Sequence, residues 1–347
     1  MEFCILREVK GMNIKMNKKE LSLHEPLIST YTSYGAIFSI INEEESAEWL
    51  YNNFIQLRYG YNWGIITFDM HEYLMSNCPN LNLYTYPMEL LQKKYDGSLF
   101  RFIREAIDMD YYVFMYVDRF YMPFYNHYQK AHMGHEVFIS GYDLEKRTVT
   151  ISDNMYDGKY MTEKCPIDIL EEAYHKLNKE YQFMADLRMI RYVPGNRQHF
   201  DIAKVKYELQ RYLNSVPTYN LIQDQPYIFG MNVYKKVLEF MDEWDKKGEV
   251  YQFRVFHMLW EHSMLMERRI AYMEKNNYIR AESVFSERRK EIVEKFLIMR
   301  NLVIKKSLIQ NEERNRKIGN RIRIILQEVV ELEKHFLIDL IQVLNAE

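Results

Sequence analysis

Residues 111–154 read YYVFMYVDRFYMPFYNHYQKAHMGHEVFISGYDLEKRTVTISDN. The opening run, residues 111–117, is continuous, apolar and β-prone, the pattern of a strand buried on both faces. Two further strands are predicted at residues 135–140 (HEVFIS) and 147–152 (RTVTIS), the second alternating in polarity. The segment GYDLEK at residues 141–146 carries the Gly and Asp of a hairpin connection between them. A fourth run, LRMIRYV at residues 187–193, is closed by Pro194 and Gly195. Together these predict a central antiparallel sheet.

Upstream of this stretch the spacing becomes helical. A helix is expected over residues 32–41 (TSYGAIFSII), with Ser29, Thr30 and Thr32 as N-cap candidates. A second follows over residues 42–57, opened by Asn42 with acids in its first turn. RYGYNWG at residues 58–64 reads as a loop, and residues 87–110 carry helical spacing through Leu99, Ile103 and Ile107. Beyond about residue 200 strand signals vanish. Helices are predicted over residues 233–248, 253–276 and 281–310, and in a final segment with apolar residues at Ile318, Ile322, Ile325, Val329, Leu332 and Phe336. Those steps of four and three form a seam like that of a coiled coil. The fold class expected is therefore α+β. Residues 1–195 would hold the sheet and an N-terminal helix, and residues 196–347 an all-helical bundle.

Composition narrows the function. At 48% hydrophobic and 27% charged residues, the 347-residue chain can bury a core and is not a disordered type. A net charge of −3 is poor material for neutralising phosphates, so bulk nucleic-acid binding is disfavoured. Three cysteines cannot make a disulfide framework, and no C-x-x-C pair offers a zinc site. Residues 1–20 lack the apolar core of a signal peptide, and no run approaches 18 apolar residues. A cytoplasmic protein with no membrane partner is the expectation. The wealth of tyrosine (29 residues) follows from AT-rich codon usage as readily as from any function.

The chemistry concentrates in residues 118–154. Asp118 ends the buried strand, a loop with His127 and His132 follows, and His135 and Asp153 mark the start and end of the two hairpin strands. Such a hairpin makes His135 and Asp153 cross-strand neighbours, about 5 Å apart at Cβ. A carboxylate that orients an imidazole leaves the other ring nitrogen free as a general base. A hairpin whose His and Asp merely hydrogen-bond satisfies the same spacing. A metal could be held by His127, His132, His135 and Asp118, but three histidines in a tyrosine-rich loop more often line a cleft, so no metal is expected. His257, Glu261 and His262 share a predicted helix, where a polar network is the simpler reading. No glycine-rich phosphate loop occurs, and the basic clusters near residues 288–290 and 314–323 alternate with acids, as on a solvated helix face.

The segment HEVFISGYDLEKRTVTISDN (residues 135–154) resembles the His-to-Asp hairpin of papain-like cysteine enzymes. It is more closely similar to the family of the butirosin-biosynthesis H protein. The features that carry this are Asp118 followed by RFYMP, His135 before GYD, and Asp153 after the next strand. FRVFHMLWEHSMLMERRIAYME (residues 253–274) also resembles the helical portion of that family. The resemblance implies a papain-like N-terminal domain and acyl transfer from a carrier-protein thioester to an amine, through a cysteine on the first helix. Here Thr32 stands where that cysteine is expected, with Ser33 beside it, and HEPLIS (residues 24–29) supplies no Gln for an oxyanion. A hydroxyl is far harder to deprotonate than a thiol. Cys78 and Cys165 each precede a proline in turn-like sequence, and Cys4 lies far upstream.

Two functions follow. In the first, an accessory protein of secondary-metabolite or peptide biosynthesis transfers an acyl or aminoacyl group, or cleaves a thioester. His135 is its base, Asp153 orients it and Thr32 or Ser33 attacks. Asp118, Tyr121, Tyr125 and His132 then line the substrate cleft. The acyl donor would ride on the phosphopantetheine arm of a carrier protein or synthetase module, the acceptor would be an amine-bearing small molecule or peptide, and the protein would hold no cofactor of its own. In the second, catalysis is lost and a papain-like scaffold binds the carrier or synthetase, with a homodimer through the C-terminal helix as a further expectation. A peptidase would use the same site but requires an extended peptide groove.

Overall fold

The computed structural model describes residues 17–178, 180–181, 185–218, 227–280 and 285–346. Cys4, most of the stretch compared with a signal peptide and the start of the helix expected from residue 281 lie outside them. The strands are Lys18–Glu20 (β1), Leu57–Gly60 (β2), Ile65–Phe68 (β3), Leu81–Tyr86 (β4), Tyr112–Asp118 (β5), Gly134–Asp143 (β6), Thr148–Met155 (β7), Lys159–Pro166 (β8), Leu187–Tyr192 (β9) and Tyr227–Phe229 (β10). The helices are Thr32–Phe38 (α1), Ala47–Asn52 (α2), His71–Asn77 (α3), Met88–Tyr95 (α4), Leu99–Asp108 (α5), Ile167–His175 (α6), Ile202–Asn214 (α7), Asn232–Lys247 (α8), Phe253–Lys275 (α9), Phe285–Leu308 (α10) and Glu312–Ala346 (α11). The protein is thus α+β, with an antiparallel sheet in its first half and helices dominating the rest. No helix among the described residues is long and apolar enough to cross a membrane.

The chain forms two compact units that interleave in sequence: residues 1–24 with 84–191, and residues 25–83 with 192–347. A single cut near residue 195 does not describe this division, because the segment with α1, α2 and the β2–β3 hairpin sits with the later helices.

The first unit is built on a sheet of order β4-β9-β5-β6-β7-β8, with β1 on β6. Residues 112–118 form its interior as their pattern predicts, and Val113, Met115 and Val117 are buried with Val137, Ile139, Val149 and Ile151. Phe102, Ile103 and Ile107 of α5 and Leu170 and Ala173 of α6 join that cluster. Each fully buried side chain of this kind contributes about 1.5–3 kcal/mol. The pairing of β6 with β7 shifts register between Ile139 and Gly141. There a Cβ on residue 141 would stand 2.7 Å from the Lys19 carbonyl oxygen, so only glycine lets β1 approach. Residues 87–110 are two helices rather than one. Asp96 and Gly97, at φ of 53° and 77°, end α4, and the Ser98 side chain caps α5 by accepting from the Arg101 N–H. Strand β8 (KYMTEKCP) has no clear strand signature in sequence because it is a largely exposed sheet edge with charged residues.

The second unit holds the small sheet β10-β2-β3 and the long helices. RYGYNWG is half strand: Arg58, Tyr59 and Gly60 pair with Thr67, Ile66 and Ile65. The helix expected over residues 42–57 shrinks to α2, whose end is held by Arg269 of α9 donating to the carbonyls of Tyr51, Asn53 and Phe54. Burial pushes the Arg269 guanidinium down to about 9. The seam of α11 is real but rotated. Ile318, Ile325 and Leu332 are half-buried, and the buried stripe is Ile322, Leu326, Val329, Glu333, Phe336 and Leu340. It faces α10 within the same chain, where Phe285 meets Phe336 at 5.6 Å and Arg289 pairs with Glu333.

A candidate active site at one end of the sheet

His135 and Asp153 do meet, though not as direct cross-strand partners. The register sets Phe138 opposite Ser152, so the pair lies on a diagonal, with His135 Nδ1 3.4 Å from Asp153 Oδ2. A residue that spacing alone does not single out sits between them. Arg119, in the 3-10 turn after β5, places Nη2 2.8 Å from His135 Nδ1 and 2.9 Å from Asp153 Oδ2, and it donates to the Asn154 carbonyl at 3.3 Å. Its guanidinium lies 4.3 Å over the Tyr125 ring, and the Tyr125 hydroxyl donates to Asp153 Oδ2 at 2.6 Å. Asp153 is fully buried and also accepts from the Asn154 N–H. Arg119 Nε is buried with no hydrogen-bond partner among the described residues. The one sequence signal for this arginine is its place directly after Asp118 at a strand end.

Tyr125, expected to contact substrate, is instead a buried member of this network; burial and the Asp153 charge push its hydroxyl far above the usual range. Burial, then the charges of Arg119 and His135, lower the pKa of His127, which therefore belongs to the same corner. Glu136, adjacent to His135, is raised by burial and partly offset by His135; its Oε1 accepts from the Tyr116 hydroxyl at 3.1 Å.

A second imidazole–carboxylate pair stands beside the first. His132 Nδ1 lies 2.7 Å from Asp118 Oδ2, while Asp118 Oδ1 accepts from the Phe120 and Met133 N–H groups, both at 3.0 Å. The His132 ring stacks on Phe120 at 4.3 Å, and Tyr121 lies 6.0 Å away with Lys176 over its ring. Asp118 and His132 were expected as cleft-lining residues. The structure brings them together as a pair. Among the described residues no group of three or more His, Cys, Asp or Glu is arranged to hold a metal.

Thr32 and Ser33 belong to the second unit. Tyr31 occupies the N-cap position of α1, so Thr32 is the first helical residue rather than the cap, and it is 1% exposed. Ser33 is half-buried. The approach to α1 is held by Glu261 of α9, whose carboxylate accepts from the Ser29 N–H at 2.6 Å, the Thr30 N–H at 3.2 Å and the Thr30 hydroxyl. His257 Nε2 reaches Glu261 at 3.2 Å, and Arg300 Nε of α10 donates to His257 Nδ1 at 2.9 Å, so two of the three residues expected in a polar network on that helix form one, while His262 bonds instead to the Ile55 carbonyl at 2.9 Å. Burial pushes the thiols of Cys78 and Cys165 up to about 12 each, the opposite of an activated nucleophile.

Comparison with known proteins yields a match over part of the chain. No curated protein matches the chain. Residues 55–154 match the family described as Butirosin biosynthesis protein H, N-terminal, a span that runs from before β2 to just past Asp153 and so takes in Arg119, His132 and His135. Over those residues the chain is similar to the family of butirosin biosynthesis protein H.

Proposed function

We infer that the protein handles an acyl or aminoacyl group in a biosynthetic pathway, transferring it from a carrier-protein thioester to an amine or releasing it from the thioester. The observation that carries this reading is the Arg119–His135–Asp153–Tyr125 network inside the family-matched segment. It keeps one imidazole a fifth exposed, over a carboxylate that is wholly buried. A partly exposed ring on a rigid polar base is a group that can meet a substrate carbonyl without reorganising. The acyl group would arrive on the phosphopantetheine arm of an acyl or peptidyl carrier partner. The test is turnover of a carrier-linked acyl donor by the wild-type chain and by His135→Ala. A loss of about 100-fold or more is expected, and undiminished turnover removes His135 from the reaction.

A scaffold that binds the carrier without chemistry is the second reading. It is favoured by a specific observation: Thr32 is buried and the Cys78 and Cys165 thiols are raised. Labelling with an acyl or fluorophosphonate probe separates the two. An adduct at Ser33 or Thr32 supports the covalent enzyme; a carrier complex with no adduct and no turnover supports the scaffold.

A further inference from the structure

We propose that the proton acceptor at this end of the sheet is His132, positioned by Asp118, and that Arg119 holds His135 as an Nε2–H donor. The catalytic part of this assignment rests on the acyl-transfer reading above; the location of the ring protons rests on geometry alone.

A guanidinium carries five N–H donors, has no acceptor and keeps its proton in proteins. Arg119 Nη2 at 2.8 Å from His135 Nδ1 therefore makes Nδ1 the acceptor. The proton of the neutral ring then resides on Nε2. The competing arrangement, Nδ1–H directed at the Glu136 carbonyl (3.1 Å) or Asp153 Oδ2 (3.4 Å), would set two N–H groups against each other at 2.8 Å. The Asp153 distance also exceeds that of an ordinary N–H···O bond, about 2.7–3.2 Å. Asp153 thus holds Arg119, and Arg119 holds the imidazole. His135 carries no lone pair on its outer nitrogen and cannot be the base in its neutral form.

At His132 the polarity is reversed. Asp118 already accepts two backbone N–H bonds and is fully buried, so it accepts from the ring as well, and the proton sits on Nδ1. Nε2 keeps its lone pair, on a side chain that is 49% exposed. The stack on Phe120 and the bond to Asp118 hold the ring plane from two directions. This is the orientation by a carboxylate that a general base needs. In transfer to an amine, the nitrogen–carbon bond forms as the carbon–sulfur bond breaks. The proton lost by the amine passes to His132 Nε2 and then to the departing thiolate sulfur, while His135 keeps its proton and hydrogen-bonds the carbonyl oxygen.

Ring-nitrogen NMR of histidine in the full chain tests this at ~pH 8, above the ordinary histidine range, with signals assigned through His132→Gln and His135→Gln. Expected are a protonated Nε2 and bare Nδ1 on His135, and the reverse on His132. A protonated Nδ1 on His135, or a bare Nδ1 on His132, overturns the assignment. Asp118→Asn can donate to Nδ1, so it should move the His132 proton to Nε2 and lower kcat about 100-fold with KM little changed; Asp118→Glu should restore part of both. If the wild-type spectra are as expected but no acyl donor is turned over, the acyl-transfer reading fails and takes the catalytic role of His132 with it, while the ring assignment stands.

Discussion

At Arg119 a guanidinium, a carboxylate and an imidazole meet where His135 is 19% exposed; at Arg289, in the helical unit, the same kinds of group meet with no exposure at all. Arg289 pairs with Glu333 and donates to Ser263 Oγ at 2.8 Å, and His262 lies nearby with its Nε2 2.9 Å from the Ile55 carbonyl oxygen. Burial pushes His262 down to about 3, so it stays neutral at any physiological pH. Residue type does not distinguish the two clusters. Access to solvent does: the first leaves an imidazole partly open to solvent, and the second lies wholly buried among helices, with His262 Nδ1 and Glu333 Oε1 lacking a hydrogen-bond partner among the described residues. A third cluster, Arg300–His257–Glu261, repeats the donation of a guanidinium to Nδ1 and ties it to the segment entering α1.

The comparison breaks most clearly in stability measurements. Glu333→Ala should cost about 3–5 kcal/mol in urea unfolding, because Arg289 is left as an uncompensated buried charge; a cost under about 1 kcal/mol would mean the core pair is solvated. Asp153→Ala strands Arg119 in the same way, but Asn154 O and His135 Nδ1 still receive its protons, so a smaller loss of about 3 kcal/mol is expected.

Acid probes the buried cluster through His262. A histidine depressed from 6.5 to about 3 stabilises the fold above about pH 6.5 and loses that contribution as pH falls toward about 3. The slope should reach about 1.4 kcal/mol per pH unit, and His262→Phe, which keeps the packing against Phe68 and Tyr212, should flatten it. His135→Ala, in contrast, should change stability by less than about 1 kcal/mol, since its ring is partly open, while lowering any turnover of a carrier-linked acyl donor about 100-fold or more. Smallest of all is the exposed pair of Arg147 and Asp168 at 2.8 Å, for which a double-mutant cycle should return about 0–1 kcal/mol.

Much of the sheet is legible in the residue pattern alone. Residues 111–117, 135–140, 147–152 and 187–193 all fall within or across observed strands, because apolar runs and alternation report burial directly. The same logic fails at residues 58–60 and 159–166, where short or edge strands carry arginine, tyrosine and lysine and look like loop. The α11 seam expected from spacing is one residue out of phase along part of its length, because Glu333 occupies a core position that hydropathy alone assigns to Leu332.

By itself the sequence determined that His132, His135, Asp118 and Asp153 gather at one end of a β-hairpin region, since strand period and hairpin length are local properties of the chain. Which carboxylate serves which imidazole was decided only by tertiary structure. Arg119 lies 16 residues before His135 and 34 before Asp153, separations with no period to betray them, and its turn drops a donor between the two. Hydrogen-bond polarity then sets the ring protons. That is a matter of fractions of an ångström between groups on three different elements, which no pattern of residue types encodes.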